Sequence, residues 1–297
     1  MTVASVNGSN AALVNRMAGA NHAPAAGEKE VGLKAMLGNA NVRKRFEELL
    51  GKKAAGFMSS LISVTNGNAQ LQKAEPQTII AAGAIAAALD LPVDPNLGFA
   101  YIVPYNTKKK LPDGSEIWVN QAQFQLGYKG YIQLAMRTGQ YKTINACEVY
   151  EGEIKGINRF TGEVEFGEQT SDKIVGYMAY FKLLNGFEKY LYMTKGEIER
   201  HAKKFSQTYK KGFGKWADDF HAMAIKTVLK RLLSKYGILS IEMQTSLQAD
   251  QAVVSQDADG NTSFEYTDGA TIDAEGVVVD DQPTDDEILA AAIGGNA

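Results

Sequence analysis

Cysteine, histidine and proline are scarce in this chain of 297 residues, which contains one, three and seven of them. The single cysteine, Cys147, can form neither an intrachain disulfide nor a cysteine-based metal site. The three histidines, His22, His201 and His221, lack the spacing of metal ligands, and no Pro-Cys-x-x-Cys accompanies them, which excludes a zinc deaminase. From these absences we expect no metal, no cofactor and no catalytic residue.

Long hydrophobic runs and targeting signals are also missing. The N-terminus lacks the basic segment and apolar stretch of a signal peptide, and the longest mostly apolar run, 76–89, is too short to span a bilayer. No Gly-x-x-x-x-Gly-Lys-Ser/Thr loop is present, which argues against ATP hydrolysis of the common kind. The sequence therefore predicts a soluble, cytoplasmic protein without a membrane partner.

Basic residues are absent from 241–297, which contain 13 Asp or Glu. The first 240 residues carry all 31 Lys and Arg against 21 of the 34 acidic residues, so the body of the chain is basic and its end acidic. A basic body favours a polyanionic partner, although a solvated surface with a solubilising tail fits the charge pattern equally well.

Composition and periodicity divide the chain into three parts. Residues 1–27 are rich in Ala, Asn and Gly and predict a flexible arm, whereas 28–240 have the helical and strand patterns of a folded domain. The acidic residues 241–297 predict a disordered tail that is dispensable for the core activity. Three roles for it stay open: competition with a polyanion for the basic body, docking of a short helix at 285–293 on a partner, and solubility alone. We predict an α+β fold with an antiparallel β-sheet core and packed helices.

A β-hairpin is predicted in the middle of the chain. Its strands cover 99–105 and 117–126, joined by a polar loop over 106–115. Three adjacent lysines lie in that loop, where solvent exposure is the commoner role: Lys108, Lys109 and Lys110. The second strand alternates apolar residues with three glutamines, whose face meets either solvent or a polar ligand: Gln121, Gln123 and Gln125.

A glycine-flanked turn follows the hairpin and leads into a short helix. Gly127 and Gly130 bracket Tyr128 and Lys129, and glycine permits both a sharp turn and the close approach of another backbone. In isolation this pattern fits an ordinary strand-to-helix turn with solvated cations.

Cations alternate with aromatic residues further along the chain. A glycine-containing loop over 203–215 carries Lys203, Lys204, Phe205, Tyr209, Lys210, Lys211, Phe213 and Lys215. The last helix of the domain, predicted from Trp216 to about Tyr236, places Lys226 and Lys230 on one side. Cations neutralise phosphates and aromatic rings stack on exposed bases, a combination that favours single-stranded nucleic acid.

Adjacent carboxylates offer a weaker, enzymatic interpretation. Asp218 and Asp219 are neighbours, but successive helical residues point about 100° apart, and acids are favourable at a helix N-terminus in any case. A metal-dependent nuclease needs several convergent carboxylates, which nothing in the sequence promotes.

Several motifs in a fixed order resemble the RecT family of phage and bacterial single-strand annealing proteins. They span roughly residues 30–240: Asp94-Pro95, Gly98–Pro104, Gln123–Ile132, Ala135–Gly139, Val149–Glu151, Gly176–Ala179, Trp216–Phe220, Met223, Lys226-Thr227 and Arg231-Leu232. The combination is specific, although each piece alone is weak. The family usually has Leu-Ala-Arg-Arg-Ser-Gly where this chain has Leu-Ala-Met-Arg-Thr-Gly, so no DNA contact is carried over to Met136.

The resemblance implies a function and partners. Such a protein pairs complementary DNA strands without ATP in homologous recombination and DNA repair, is not an enzyme, and acts in a bacterial host cell. It assembles as a homo-oligomeric ring or helical filament on single-stranded DNA and the annealed duplex intermediate. Further partners would be an exonuclease and the host single-strand binding protein.

The cationic pattern together with the resemblance predicts a basic groove that holds DNA by its phosphates. The predicted contacts are Lys108, Lys109, Lys110, Gln123, Gln125, Tyr128, Lys129, Arg137, Lys203, Lys204, Lys210, Lys211, Lys215, Trp216, Lys226, Lys230 and Arg231. Two other classes stay open on the sequence: a DNA-processing enzyme with an unseen metal site, and an oligomeric scaffold whose basic face is only solvated.

Overall fold

A computed structural model describes residues 32–110, 114–212, 214–250, 252–256, 262–266 and 270–272. Within these ranges the helices are α1 (Leu33–Leu37), α2 (Ala40–Leu50), α3 (Ala54–Asn66), α4 (Pro76–Ala88), α5 (Tyr128–Arg137), α6 (Lys195–Phe205), α7 (Gln207–Lys210), α8 (Lys215–Asp218), α9 (Phe220–Tyr236) and α10 (Ile241–Ala249). The strands are β1 (Ala100–Lys110), β2 (Glu116–Leu126), β3 (Tyr141–Tyr150), β4 (Ile154–Ile157), β5 (Val164–Phe166), β6 (Ile174–Leu183), β7 (Glu188–Thr194), β8 (Ala252–Gln256), β9 (Thr262–Tyr266) and β10 (Ala270–Ile272). The predicted arm, 1–27, and the predicted helix at 285–293 lie outside the described residues.

The strands form antiparallel sheets, which confirms the predicted α+β class. One sheet has the order β1-β2-β8-β9-β10, a second has the order β3-β6-β7, and β4 pairs with β5. Helix α4 packs on β2, while α9 packs on β6, β7 and α5. Side chains from both larger sheets and from α4, α5 and α9 belong to one buried cluster.

Helix α4 is buried on nearly all sides, as its small apolar composition predicts. Pro76 lies in its first turn, where a missing N–H costs nothing. A Cβ on Gly83 would lie 2.9 Å from the Leu61 side chain, so the glycine lets α3 approach closely.

The β1–β2 hairpin is longer than the sequence predicted. Cα pairs run without interruption from Ala100 and Leu126 to Lys110 and Glu116, so Lys108–Lys110 lie in β1 and not in a loop. Cross-strand side-chain pairs extend the ladder: the Thr107 hydroxyl donates to Gln121 at 2.7 Å, and Lys108 pairs with Glu116 at 2.8 Å.

The sheet formed by β3, β6 and β7 supports α9 on one face. Tyr177, Ala179, Phe181 and Leu183 alternate along β6 and are buried, which is the period-two pattern of a strand with one covered face. This sheet leads into α6 through the predicted capping box, which is confirmed: Thr194 caps the Glu197 amide and the Glu197 carboxylate accepts from the Thr194 amide.

The last helix of the predicted domain is interrupted near its start. Helix α8 ends at Asp218, and α9 begins after Asp219, whose carboxylate accepts a hydrogen bond from the Ala222 amide at 3.0 Å. The Asp219 carboxylate therefore acts as an N-cap, as the helix-terminus interpretation of the acidic pair expects.

Residues beyond 240 continue the fold. Ser240 caps α10, and Met243 and Ala249 are fully buried, while Ala252 in β8 pairs with Phe124 in β2. An acidic composition with few aromatic residues predicts a disordered tail here, but the side chains of Met243, Ala249 and Val254 are buried in the core. The packing of the described residues therefore continues past residue 240 into β8, whereas 273–297 lie outside the described residues.

Candidate nucleic-acid interface

The turn Gly127–Gly130, here called the central turn, lies against the loop that precedes β1. The Gly127 amide donates to the Phe99 carbonyl at 2.9 Å. A Cβ on Gly127 would collide with the Gly98 carbonyl oxygen, and one on Gly130 with the Phe99 carbonyl oxygen. Both glycines are thus required by backbone contact, because any side chain would separate the two loops.

Lys129 lies exposed on the first turn of α5. Its aliphatic stem passes Gly98, and its ammonium forms no ion pair or hydrogen bond within the described ranges. A cation beside the positive end of a helix is electrostatically unfavourable unless an anion joins it. The position therefore suits a phosphate.

Tyr101 links the central turn to the start of α9. Burial, followed by the nearby Tyr128 and Asp219, raises the pKa of the Tyr101 hydroxyl, which therefore remains protonated at neutral pH. Tyr128 is half-buried and lies beside this hydroxyl. The Tyr101 hydroxyl is thus close enough to Tyr128 and to Asp219 to sense both, which relates the central turn to the N-cap of α9.

Arg137 has a structural partner. Its guanidinium donates to the carbonyls of Leu89 and Asp90, which follow the C-terminus of α4. Cations are favourable at a helix C-terminus, where carbonyls lack helical partners. Arg137 thus joins α5 to α4, and these two hydrogen bonds use two of the N–H donors of its guanidinium.

The predicted lysines of α9 surround a buried carboxylate. Asp250 is 1% exposed and accepts from Lys226 at 2.9 Å, Lys230 at 2.8 Å, the Leu126 amide at 2.9 Å and the Tyr131 hydroxyl at 3.0 Å. We call these five groups the Asp250 cluster. Lys226 is only 6% exposed, so the fold gives it a carboxylate partner and not a place on the surface.

The Asp250 carboxyl is held in its ionised form. Burial alone would raise the pKa of this group, but the charges and hydrogen bonds of Lys226 and Lys230 outweigh burial and hold the pKa well below its usual range. Burial lowers the pKa of the Lys226 ammonium, while the Asp250 carboxylate opposes that shift and favours the charged form. Lys230 is the partly exposed member, with 32% of its side chain accessible.

The residues Lys203–Lys215 are here called the basic segment. Its described part, 203–212 and 214–215, contains the end of α6, all of α7 and the first residue of α8. Five lysines along it are exposed: Lys203, Lys204, Lys210, Lys211 and Lys215. Trp216 behaves differently, since it is 6% exposed and its ring packs edge-on against Tyr209 at 5.9 Å. The structure therefore uses this tryptophan in the core, while Phe213 lies outside the described residues.

His201 lies on α6 in a cationic environment, with its ring 4.7 Å from that of Phe205. Burial, and after it the charges of Arg231, Lys230 and Lys204, lower the pKa of His201 to about 4. The imidazole is therefore neutral at physiological pH, and the partly buried Arg231 contributes the largest of the nearby charges that keep it so. Sequence reasoning named Arg231 but missed His201.

The hairpin residues have mixed surroundings. Lys108 pairs with Glu116 and lies 5.6 Å from the centre of the exposed Trp118 ring, while the side chains of Lys109 and Lys110 lie outside the description. Gln121 and Gln123 are buried, and Gln125 is half-buried. The glutamine face thus lies largely inside the protein, which differs from the solvent or ligand contact that the alternation alone allowed.

Asp250 and Tyr131 are the two groups that sequence reasoning missed at the centre of this region. The available signal was a lone acid directly after a short helical stretch with a serine cap, Ser240–Ala249. The acidic composition of 241–297 hides this signal, because it groups Asp250 with the acids of the predicted tail.

Neither metal clusters nor membrane spans occur in the part of the chain that the structure describes. No three His, Cys, Asp or Glu side chains there converge as metal ligands would. None of its helices has the length and hydropathy needed to cross a bilayer.

Comparison with known proteins places these features in a family context. The model of the RecT family matches residues 55–265. Protein YqaK of Bacillus subtilis (strain 168) is 50% identical over 227 residues, covering 76% of this chain and 72% of that protein. Protein RecT of Escherichia coli (strain K12) is 29% identical over 175 residues, covering 57% of this chain and 61% of RecT. The matched region contains the central turn, the basic segment and Asp250.

Proposed function

The chain belongs to the RecT family, whose members are single-strand annealing proteins of recombination, and from this premise we propose that it anneals complementary DNA strands without ATP. It binds single-stranded DNA through phosphates and leaves the base edges free. Pairing then needs no covalent step, because two neutralised and extended strands can align by base pairing alone.

The exposed cations around the central turn carry this proposal. Lys129 has no partner within the described ranges, and the exposed Lys215 lies one helical turn before Asp219, to whose amide its carbonyl is hydrogen-bonded at 2.9 Å. Each lysine that neutralises a phosphate releases a counterion and strengthens binding without regard to sequence. Lys203, Lys210 and Lys211 extend the proposed surface along the basic segment.

Three predicted contacts receive other roles in the proposal. Lys226 is buried with Asp250, Arg137 caps α4, and Trp216 packs in the core. We therefore assign phosphate contact to the exposed lysines and structural support to these three residues.

Lys129→Ala tests the proposal most directly. We expect weaker single-strand binding for all sequences and a salt dependence that is shallower by roughly one counterion. Binding is measured by fluorescence anisotropy of a labelled oligonucleotide across a range of salt concentrations. Lys142→Ala is the matched control, since Lys142 is an exposed lysine on β3 in the other sheet, and its salt dependence should equal that of the wild type.

Annealing itself is followed by the quenching of two complementary labelled oligonucleotides without ATP or metal. Pairing faster than in buffer supports annealing, whereas release of nucleotides would point to a DNA-processing enzyme. A protein that binds no nucleic acid would leave the oligomeric scaffold as the remaining class.

Self-assembly and protein partners complete the proposal. We propose that the protein acts as a ring or helical filament, because many subunits along one strand hold it extended. An exonuclease supplies single strands, and the host single-strand binding protein is the second expected partner. Electron microscopy with and without complementary oligonucleotides distinguishes ring from filament.

A further inference from the structure

The Asp250 carboxylate contacts the chain on both sides of the central turn. The Leu126 amide, one residue before the turn, donates to Oδ1 at 2.9 Å, and the Tyr131 hydroxyl, one residue after it, donates to Oδ2 at 3.0 Å. The turn between them carries Lys129. A single buried group therefore fixes both ends of the segment that presents this lysine.

The remaining contacts anchor that carboxylate to α9. Lys226 and Lys230 are four residues apart and hence on one side of the helix, and each gives its ammonium to one oxygen of Asp250. Asp250 itself directly follows α10, whose buried Met243 and Ala249 hold it in place. The carboxylate thus joins β2, α5, α9 and α10 at one point.

We propose that Asp250 is a positioning residue, which through Tyr131 and the Leu126 amide sets the place of the central turn and so the reach of Lys129 toward a DNA phosphate. This inference rests on the proposed function. It gives the family-matched residues beyond 240 a part in DNA binding, although they carry no cation.

Removal of the Asp250 charge is too severe a test. Asp250→Asn would leave Lys226 charged and buried without a carboxylate, and such uncompensated buried charges strongly destabilise proteins. Tyr131→Phe is milder, because it removes one hydroxyl and keeps the ring, the carboxylate and both lysines.

Tyr141→Phe provides a matched control. The Tyr141 hydroxyl accepts a hydrogen bond from the Ile238 amide at 2.8 Å, on the other sheet and outside the Asp250 cluster. Both variants lose one hydrogen bond of a shielded tyrosine, so both should unfold at lower denaturant concentration than the wild type.

Only Tyr131→Phe should weaken single-strand binding, by up to about fivefold, because returning the loosened turn to its place on DNA costs at most the free energy of the one lost hydrogen bond. The Leu126 amide should also exchange its hydrogen faster in this variant. The decisive experiment is a double-mutant cycle: in a Lys129→Ala background, Tyr131→Phe should weaken binding no further, because the lysine that it positions is gone.

Three outcomes would overturn the inference. If Tyr131→Phe and Tyr141→Phe bind DNA alike, or if the effects of Tyr131→Phe and Lys129→Ala simply add, Asp250 supports the fold without setting the reach of Lys129. If Lys129→Ala leaves the wild-type salt dependence unchanged, the proposed phosphate contact is itself wrong, and the inference falls with it. The cycle therefore distinguishes failure of the positioning role from failure of the proposed function.

Discussion

The environment of each lysine decides what its charge contributes to this protein. Lys226 is buried and needs Asp250, since a buried ammonium without a partner costs several kcal/mol. Lys129 keeps its hydration and can exchange it for a phosphate. The same residue type thus stabilises the fold at one position and is available to a ligand at the other.

Protonation of His201 is the residue-scale event with the clearest pH dependence. The folded state holds its pKa at about 4, below the ordinary value of 6.5, because of burial and the neighbouring cations Arg231, Lys230 and Lys204. Between these two pH values the His201 imidazole is protonated in the unfolded chain and neutral in the folded chain. Stability therefore falls as pH drops from 6.5 toward 4, by at most about 3 kcal/mol from this residue.

His201→Gln should remove that part of the loss. Acidification from about pH 7 to about pH 4.5 should lower the unfolding free energy of the wild type more than that of the variant. Urea unfolding at several pH values measures it. A constant difference across this range would show that His201 titrates alike in the folded and unfolded states.

Glycines act at the scale of elements because they decide how closely helices and loops approach. Gly130 lies on α5 where a Cβ would collide with the Phe99 carbonyl oxygen, whereas Gly56 lies on α3 with nothing within 4 Å of the corresponding Cβ. The two glycines share a helical conformation and differ in their surroundings. Their substitution therefore separates helix propensity from packing.

Opposite effects are expected from alanine at these two positions. Gly56→Ala should stabilise the protein by about 0.5–1 kcal/mol, because alanine has the higher helix propensity and restricts the unfolded chain. Gly130→Ala should destabilise it by about 2 kcal/mol or more, since backbone atoms must move. Chemical denaturation measures both, and a stable Gly130→Ala variant would mean that the loop before β1 yields easily.

Local patterns predicted the elements that local interactions determine. The capping box at Thr194, the buried α4 and the strands of the hairpin follow from spacing within a few residues. The Asp250 cluster could not be predicted in this way, because Asp250 lies 24 residues from Lys226 and 124 from Leu126. The lysine stripe of α9 has the same pattern whether it faces solvent or a buried acid.

At the scale of the whole molecule, the chain beyond 240 divides into a part that packs and a part that the structure does not describe. Helix α10 and β8 contribute buried Met243, Ala249 and Val254, and Asp250 neutralises part of the charge of α9. Residues 273–297 contain seven of the 13 acids that follow residue 240. The two parts should therefore differ in what their removal does.

Two truncations test this division. A chain ending at Ser240 lacks Asp250 and should unfold or aggregate, because Lys226 would be left buried without its carboxylate and the core would lose α10. A chain ending at Ile272 keeps both and should fold, bind single-stranded DNA and anneal. Circular dichroism, size-exclusion chromatography and the annealing assay compare them with the full chain.

If the protein ending at Ser240 anneals normally, the packing of α10 contributes little to the fold. If the protein ending at Ile272 binds DNA more tightly than the full chain only at low salt, the acidic residues removed compete with phosphate for the basic surface, since such competition is screened by salt.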